Sequence, residues 1–188
     1  MKTYFLPSLK ITLILIVVAG GLYPLLISAI GKLAPGGGDG LTLTVNGKVV
    51  GYANVGQKFT KDKYFWGRPS AVDYHADGSG GSNKGPNNPD YLKDVKSRID
   101  TFLKHNPDVK REEIPAEMVT ASGSGLDPDI SPAAAKVQVA RVAKTRNLSA
   151  DKVTALVNTH IEQPLWGIFG PAKVNVLKLN IALDELKH

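Results

Sequence analysis

The sequence has no cysteine, which removes three classes at once: a disulfide-stapled scaffold, a thiolate metal site and a cysteine nucleophile. It is neutral about compartment, since an exported protein need not carry disulfides. Runs of one charge are missing as well. The 23 basic and 17 acidic residues leave a net charge of +6, but they are interspersed, with no five or six of one sign together. A nucleic-acid footprint needs a basic stripe with aromatics set among it, and there is none. Catalytic signatures are also absent. Ser124 has Ser122 two positions before it where a Gly-x-Ser-x-Gly elbow needs glycine, and no His-Glu-x-x-His pair occurs. The glycine- and serine-rich stretch 78–86 lacks the Gly-Lys-Ser/Thr ending of a phosphate-binding loop, and no strand feeds it. Asp73, His75 and Asp77 alternate, but two carboxylates and one imidazole in a loop are a weak basis for a metal site, and none is assigned.

What is present begins with one long apolar segment. Ile11 to Ile30 carries no charge, and its twenty residues span about 30 Å as a helix, the thickness of a bilayer's hydrocarbon core. A cleaved signal peptide would have a shorter apolar region and a small-x-small site, which Ala29-Ile30-Gly31 matches poorly. The chain therefore divides into a cytoplasmic N-terminus (1–10), a transmembrane helix (11–31), a glycine-rich linker (32–40) and an extracytoplasmic domain (41–188). The orientation rests on Lys2 and Lys10, which lie on one side against Lys32 alone on the other. Gly20, Pro24 and Ser28 recur every four residues with Gly21 adjacent. Small residues allow close helix approach in lipid, so this face is expected to meet another membrane protein.

The exported part reads as α+β, with a small N-terminal sheet and a mainly helical C-terminal half. Leu41–Val45 alternates, Asn46-Gly47 is a hairpin turn, and Lys48–Val50 returns. Helices are expected over Asp90–Asn106 behind an Asn87 or Asn88 cap, over Pro132–Arg146 behind Ser131, and after Ser149 with Val153, Leu156, Val157 and His160 on one face. His160 reads as an ordinary helix-end imidazole. Over 174–183 the pattern fits either a strand or a helix, and Asn175 as a cap favours the helix. In Tyr64-Phe65-Trp66 three adjacent aromatics cannot all face one core. Arg68 can stack on Trp66 or hold a carboxylate.

The stretch from Ile114 to Arg146 allows two readings. Gly123, Gly125, Pro115 and Pro128 exclude a regular element before Ser131. Delivered onto a capped helix, Ser122-Gly123-Ser124-Gly125 together with the Gln138 amide could receive an anion such as a nucleotide phosphate. Alternatively the loop only packs against its own domain.

Several stretches, in order, resemble the C subunit of the bacterial high-affinity potassium-transporting ATPase. They are Tyr-Phe-Trp-Gly-Arg-Pro-Ser-Ala (64–71), Ser-Gly-Gly-Ser-Asn (79–83), Val-Thr-Ala-Ser-Gly-Ser-Gly-Leu-Asp-Pro (119–128), Ile-Ser-Pro (130–132), Arg-Val-Ala-Lys (141–144) and Val-Asn-Val-Leu-Lys-Leu-Asn-Ile-Ala-Leu-Asp (174–184). The resemblance covers nearly the whole chain. Asp129 stands where that family commonly has His, and Glu117 where it has Asp. The resemblance implies a non-catalytic accessory subunit of the inner (plasma) membrane; no cofactor is assigned to the chain, and ATP is expected only through the complex. Its implied partners are a potassium-channel-like subunit, a P-type ATPase subunit and a small single-span subunit. It also implies a role in assembly and a catalytic-chaperone role that raises the pump subunit's affinity for ATP. The last role conflicts with an outside domain, because ATP is cytoplasmic. Covering the potassium entrance from outside is the alternative, and Trp66, Arg68 and Asp127 are then the expected docking residues. A signal-anchored extracytoplasmic enzyme and a solute-binding module are the competing classes. An enzyme should turn over alone, whereas a subunit should co-purify with two larger membrane proteins.

Overall fold

The computed structural model describes Lys2–Leu186, with side chains from Tyr4 onward. It falls into two units, Met1–Thr42 and Leu43–His188.

The first unit is a long helix in three registers. Helix α1 covers Lys2–Val17, a wide π turn covers Val18–Leu22, and helix α2 covers Tyr23–Gly31. Residues 2–10, expected as the cytoplasmic N-terminus, continue the same helix. Pro7 costs only one backbone bond. From Tyr4 to Gly31 the helix runs 28 residues, and its most apolar 18-residue stretch has a mean hydropathy of 2.5 and is nowhere buried within the protein. The π turn has a local cause. Pro24 has no N–H to give to the Gly20 carbonyl, and the chain widens just before it, so that the Tyr23 N–H reaches Val18 O five residues back. Gly20 and Gly21 sit inside this turn, and the strict four-residue spacing of the small residues is interrupted there.

The second unit is α+β. Strands β1 (Thr42–Val45) and β2 (Lys48–Tyr52) form the expected hairpin, with Asn46 and Gly47 at φ 50° and 75° in the tight turn. Helix α3 (Pro89–His105) starts where Asn88 accepts from the Asp90 and Tyr91 amides. Ser131, Ser149 and Asn175 likewise cap α4 (Pro132–Lys136), α6 (Ala150–Thr159) and α7 (Val176–Glu185).

Two features differ from the sequence reading. The helix expected over Pro132–Arg146 is broken between α4 and α5 (Val139–Arg146). There the Gln138 N–H bonds back only three residues, to Ala135 O, and tightens the turn. A second sheet also exists, with strands β3 (Asp129–Ile130), β5 (Lys173–Asn175) and β4 (Ile161–Glu162) in the antiparallel order β3-β5-β4. Its registers pair Ile130 with Val174 and Ile161 with the same Val174. Strands of two or three residues are too short to show alternation. The core lies between this sheet and α4–α7, where Val142, Val153, Val157, Val174, Leu179 and Leu183 lose all exposure. Phe65 and Phe102 close it from the other side.

Candidate functional site

The aromatic segment 62–66 has no strand partner, yet side chains hold it at every residue. Asn180 on α7 accepts from the Phe65 N–H at 2.8 Å and donates to the Phe65 carbonyl at 3.0 Å. Gln138 does the same for Trp66, at 2.8 and 3.1 Å. Each buried amide thus replaces one rung of a missing ladder. Phe65 is driven fully into the core by this arrangement, and Tyr64 and Trp66 lie half-buried on either side.

Two arginines of α5 complete the clamp. Arg141 donates to Asn106 Oδ1, to the carbonyls of Asp62 and Tyr64, and to Gln138 Oε1, and its guanidinium lies 4.2 Å from the centroid of the Trp66 ring. Burial pushes its pKa down to about 10, partly opposed by Asp62, so it stays charged at neutral pH. Arg146 donates to Lys63 O and to Asp184 Oδ1, both at 2.6 Å.

The loop 119–128 is the second half of the site, and three distant segments bond to its backbone. Ser122 N–H donates to Pro69 O, Gly80 N–H donates to Ser124 O, and Gly56 N–H donates to Leu126 O. Ser79 Oγ adds a further bond to Ser124 O at 3.0 Å. Gly125 has φ +68°, and a Cβ there would lie 2.5 Å from Val72 Cγ2 and 2.7 Å from Gly80 O, so only glycine fits. Asp127 accepts from Arg68 Nη1 at 2.9 Å and from the Asp129 N–H at 3.1 Å. Glu117 accepts from the Ser131 N–H and so fixes the entry to α4. The Tyr74 hydroxyl donates to Arg68 O. Burial, with Asp127 nearby, pushes that phenol up to about 12.

Several groups of the expected phosphate cradle have partners within the domain. The Gly125 amide donates to Ser122 Oγ, and Ser124 Oγ accepts from the Leu126 N–H. Gln138 is fully buried, and both its N–H groups and its oxygen are engaged, the second N–H with Ala134 O. Helix α4 has only five residues, and Ser131 already holds its Ala134 amide. Ser122 and Gly125 are buried, leaving Gly123 and Ser124 as an exposed crest. Of the expected docking residues, Arg68 and Asp127 pair with each other, both about a quarter exposed. Trp66 lies half-buried under Arg141 and donates from Nε1 to Lys61 O. Asp73 pairs with Lys58, whose ammonium holds its carboxyl below the ordinary range. Among the described residues no three His, Asp or Glu side chains gather as metal ligands. A cleft of about 400 Å³ opens between this clamped segment and α3, edged by Lys58, Arg68, Arg98 and His105. Arg98 is half-buried and donates to Val119 O.

Sequence reasoning missed the clamp residues Asn180, Gln138 (as a clamp) and Arg141. Their only local signal was a polar side chain on the apolar face of a helix. With the loop and the clamp in view, likeness to known proteins decides the assignment. The family model described as "K+-transporting ATPase, c chain" matches residues 5–185. The chain belongs to this family. It is similar to the potassium-transporting ATPase KdpC subunit of Flavobacterium psychrophilum, 59% identical over 187 residues and the whole of both chains. The KdpC subunit of Bacteroides fragilis is 56% identical, again over the whole of both. That of Caldanaerobacter subterraneus subsp. tengcongensis is 49% identical over 96% of this chain and 94% of its own. As a C chain, the protein is a subunit of a potassium-transporting ATPase complex and not its catalytic chain.

Proposed function

We propose that the chain is a single-pass inner-membrane subunit with its N-terminus in the cytoplasm and its domain outside. It docks that domain on the channel-like subunit, holds that subunit and the ATP-hydrolysing subunit together, and covers the potassium entrance. The small single-span subunit is the remaining partner. The observation that carries this reading is the way loop 119–128 is tied to its own domain. A loop held to three distant segments at Ser122, Ser124 and Leu126, and to its own serines through the Gly125 and Leu126 amides, is a fixed shape, with the exposed crest Gly123-Ser124 and the Arg68–Asp127 pair as the docking surface. A gain in the pump subunit's ATP affinity then arises through assembly, with no nucleotide held on this chain. From Lys32 onward the 21 basic and 17 acidic residues leave only +4, which suits a cover better than the acidic funnel that would concentrate a cation. The side of the helix carrying Gly20, Gly21, Pro24 and Ser28 supplies the contact within the membrane.

Co-purification tests it. The tagged full chain should retain two larger membrane proteins in mild detergent. Gly125→Val, which drives a Cβ into Val72 and Gly80, and the double change Gly20→Leu with Ser28→Leu should each release them. Retention by all variants, or saturable ATP binding by the full chain alone in equilibrium dialysis, would overturn the reading.

A further inference from the structure

One exposed apolar feature takes no part in the clamp or the loop. Between β4 and β5 the chain makes a small hairpin, Pro164–Pro171. Leu165, Trp166, Ile168 and Phe169 point outward on it at 62, 81, 74 and 57% exposure. No residue from Gln163 to Ala172 is charged. The hairpin is well formed despite its exposure. Leu165 and Phe169 exchange both backbone bonds at 3.0 Å, Gly167 N–H donates to Pro164 O, and Ile168 N–H donates to Leu165 O. Trp166 and Gly167 both have positive φ, 55° and 76°, which places the indole at the apex. The Phe169 ring meets it edge-on with centroids 5.8 Å apart.

We propose that this tip is a second membrane-contact element, seating Leu165, Trp166, Ile168 and Phe169 in the interfacial layer of the bilayer. Three observations select lipid as the occupant. The tip has already paired four of its backbone N–H groups internally, and Pro164 and Pro171 have none, so its desolvation leaves few donors stranded. Its chemistry is that of an interfacial anchor, with an amphipathic indole at the apex, aliphatic and phenyl groups beside it and no charge to desolvate. Finally, the chain is tethered. The ten residues 32–41 between the apolar helix and β1 extend to at most about 35 Å, which keeps the domain near the bilayer. At the base of the tip Lys173 is paired with Asp129 and Glu162, and Lys178 with Glu162, so the contact is apolar and insensitive to salt. The inference rests on the membrane anchoring proposed above.

The test uses the full chain in vesicles of phosphatidylethanolamine and phosphatidylglycerol, with and without brominated acyl chains. The sequence has two tryptophans, Trp66 in the clamp and Trp166 at the tip. Brominated lipid should quench the Trp166 share of the emission at least about twofold, unchanged in high salt. Trp166→Phe should remove the quenched component and leave Trp66 emitting. At 81% exposure this change threatens no core contact. A chain that floats with the vesicles but shows no quenching, or the same quenching in Trp166→Phe, overturns the tip insertion. A chain that fails to float overturns the anchor as well. Trp166→Lys in the assembled complex separates lipid from protein: loss of the partner subunits would make the tip a protein interface and overturn the proposal.

Discussion

Gln138 ties three elements together with a single side chain. Its amide serves both backbone groups of Trp66, one guanidinium nitrogen of Arg141 and the Ala134 carbonyl, and it is fully buried. A buried group that loses its partner costs about 1–3 kcal/mol, and a charged one more. Gln138→Leu strands the Trp66 N–H, two carbonyls and one Arg141 donor. It should therefore lower stability by about 3 kcal/mol or more, measured as a shift of the denaturant midpoint of the full chain in detergent. A loss under 1 kcal/mol would mean that Trp66 is held by other contacts. None of this was legible in the sequence, because Gln138 there is a polar residue within an expected helix and Trp66 lies 72 positions away. Gly125 was legible as a bend, but not the Val72 and Gly80 atoms that forbid a side chain. Arg68 was read correctly as able to hold a carboxylate, whereas its stacking role on Trp66 belongs to Arg141.

Among the elements, those marked by local chemistry were readable. The Asn46-Gly47 turn and the caps Asn88, Ser131, Ser149 and Asn175 act within three or four residues of themselves, so their physics is present in any short window. The sheet β3-β5-β4 is the opposite case. Its strands owe their existence to partners 11 to 46 residues away (Asp129 with Asn175 at the far end of that range), and its edge is fixed by a charge ladder, Asp129–Lys173–Glu162–Lys178. Lys178 and then Lys173 hold the Glu162 carboxyl below its ordinary 4.5, and Asp129 raises Lys173 above its ordinary 10.5. The signs give a window. Glu162 contributes fully above 4.5 and loses its share as pH falls through its depressed native value. Lys173 contributes fully below 10.5 and loses its share as pH rises through its raised one. Because the pair is half in water, the expected effect is small. Glu162→Gln should cost about 0.5 kcal/mol at neutral pH, and the gap in Tm should close in acid once the native carboxylate is protonated. A gap that persists there would locate the effect in packing and not in charge.

At the scale of the whole molecule, orientation is the consequential property, and the absence of cysteine makes it measurable. Lys48, exposed at the start of β2, is a suitable site for a single Lys48→Cys change. A membrane-impermeant maleimide should label it in intact cells. Labelling only after lysis would put the domain in the cytoplasm and reopen direct contact with ATP. The sequence by itself determined the apolar helix, the α+β character, the capped helices and the family, because composition, periodicity and motif order are properties of the chain. Tertiary structure alone decided how the 114–146 stretch is held within the domain. Its glycines and serines suit an anion as well as they suit a tight loop. The arrival of Gly56, Pro69 and Gly80 at its backbone, and of Trp66 at Gln138, is a property of the folded domain alone and makes the stretch a point where the domain is joined.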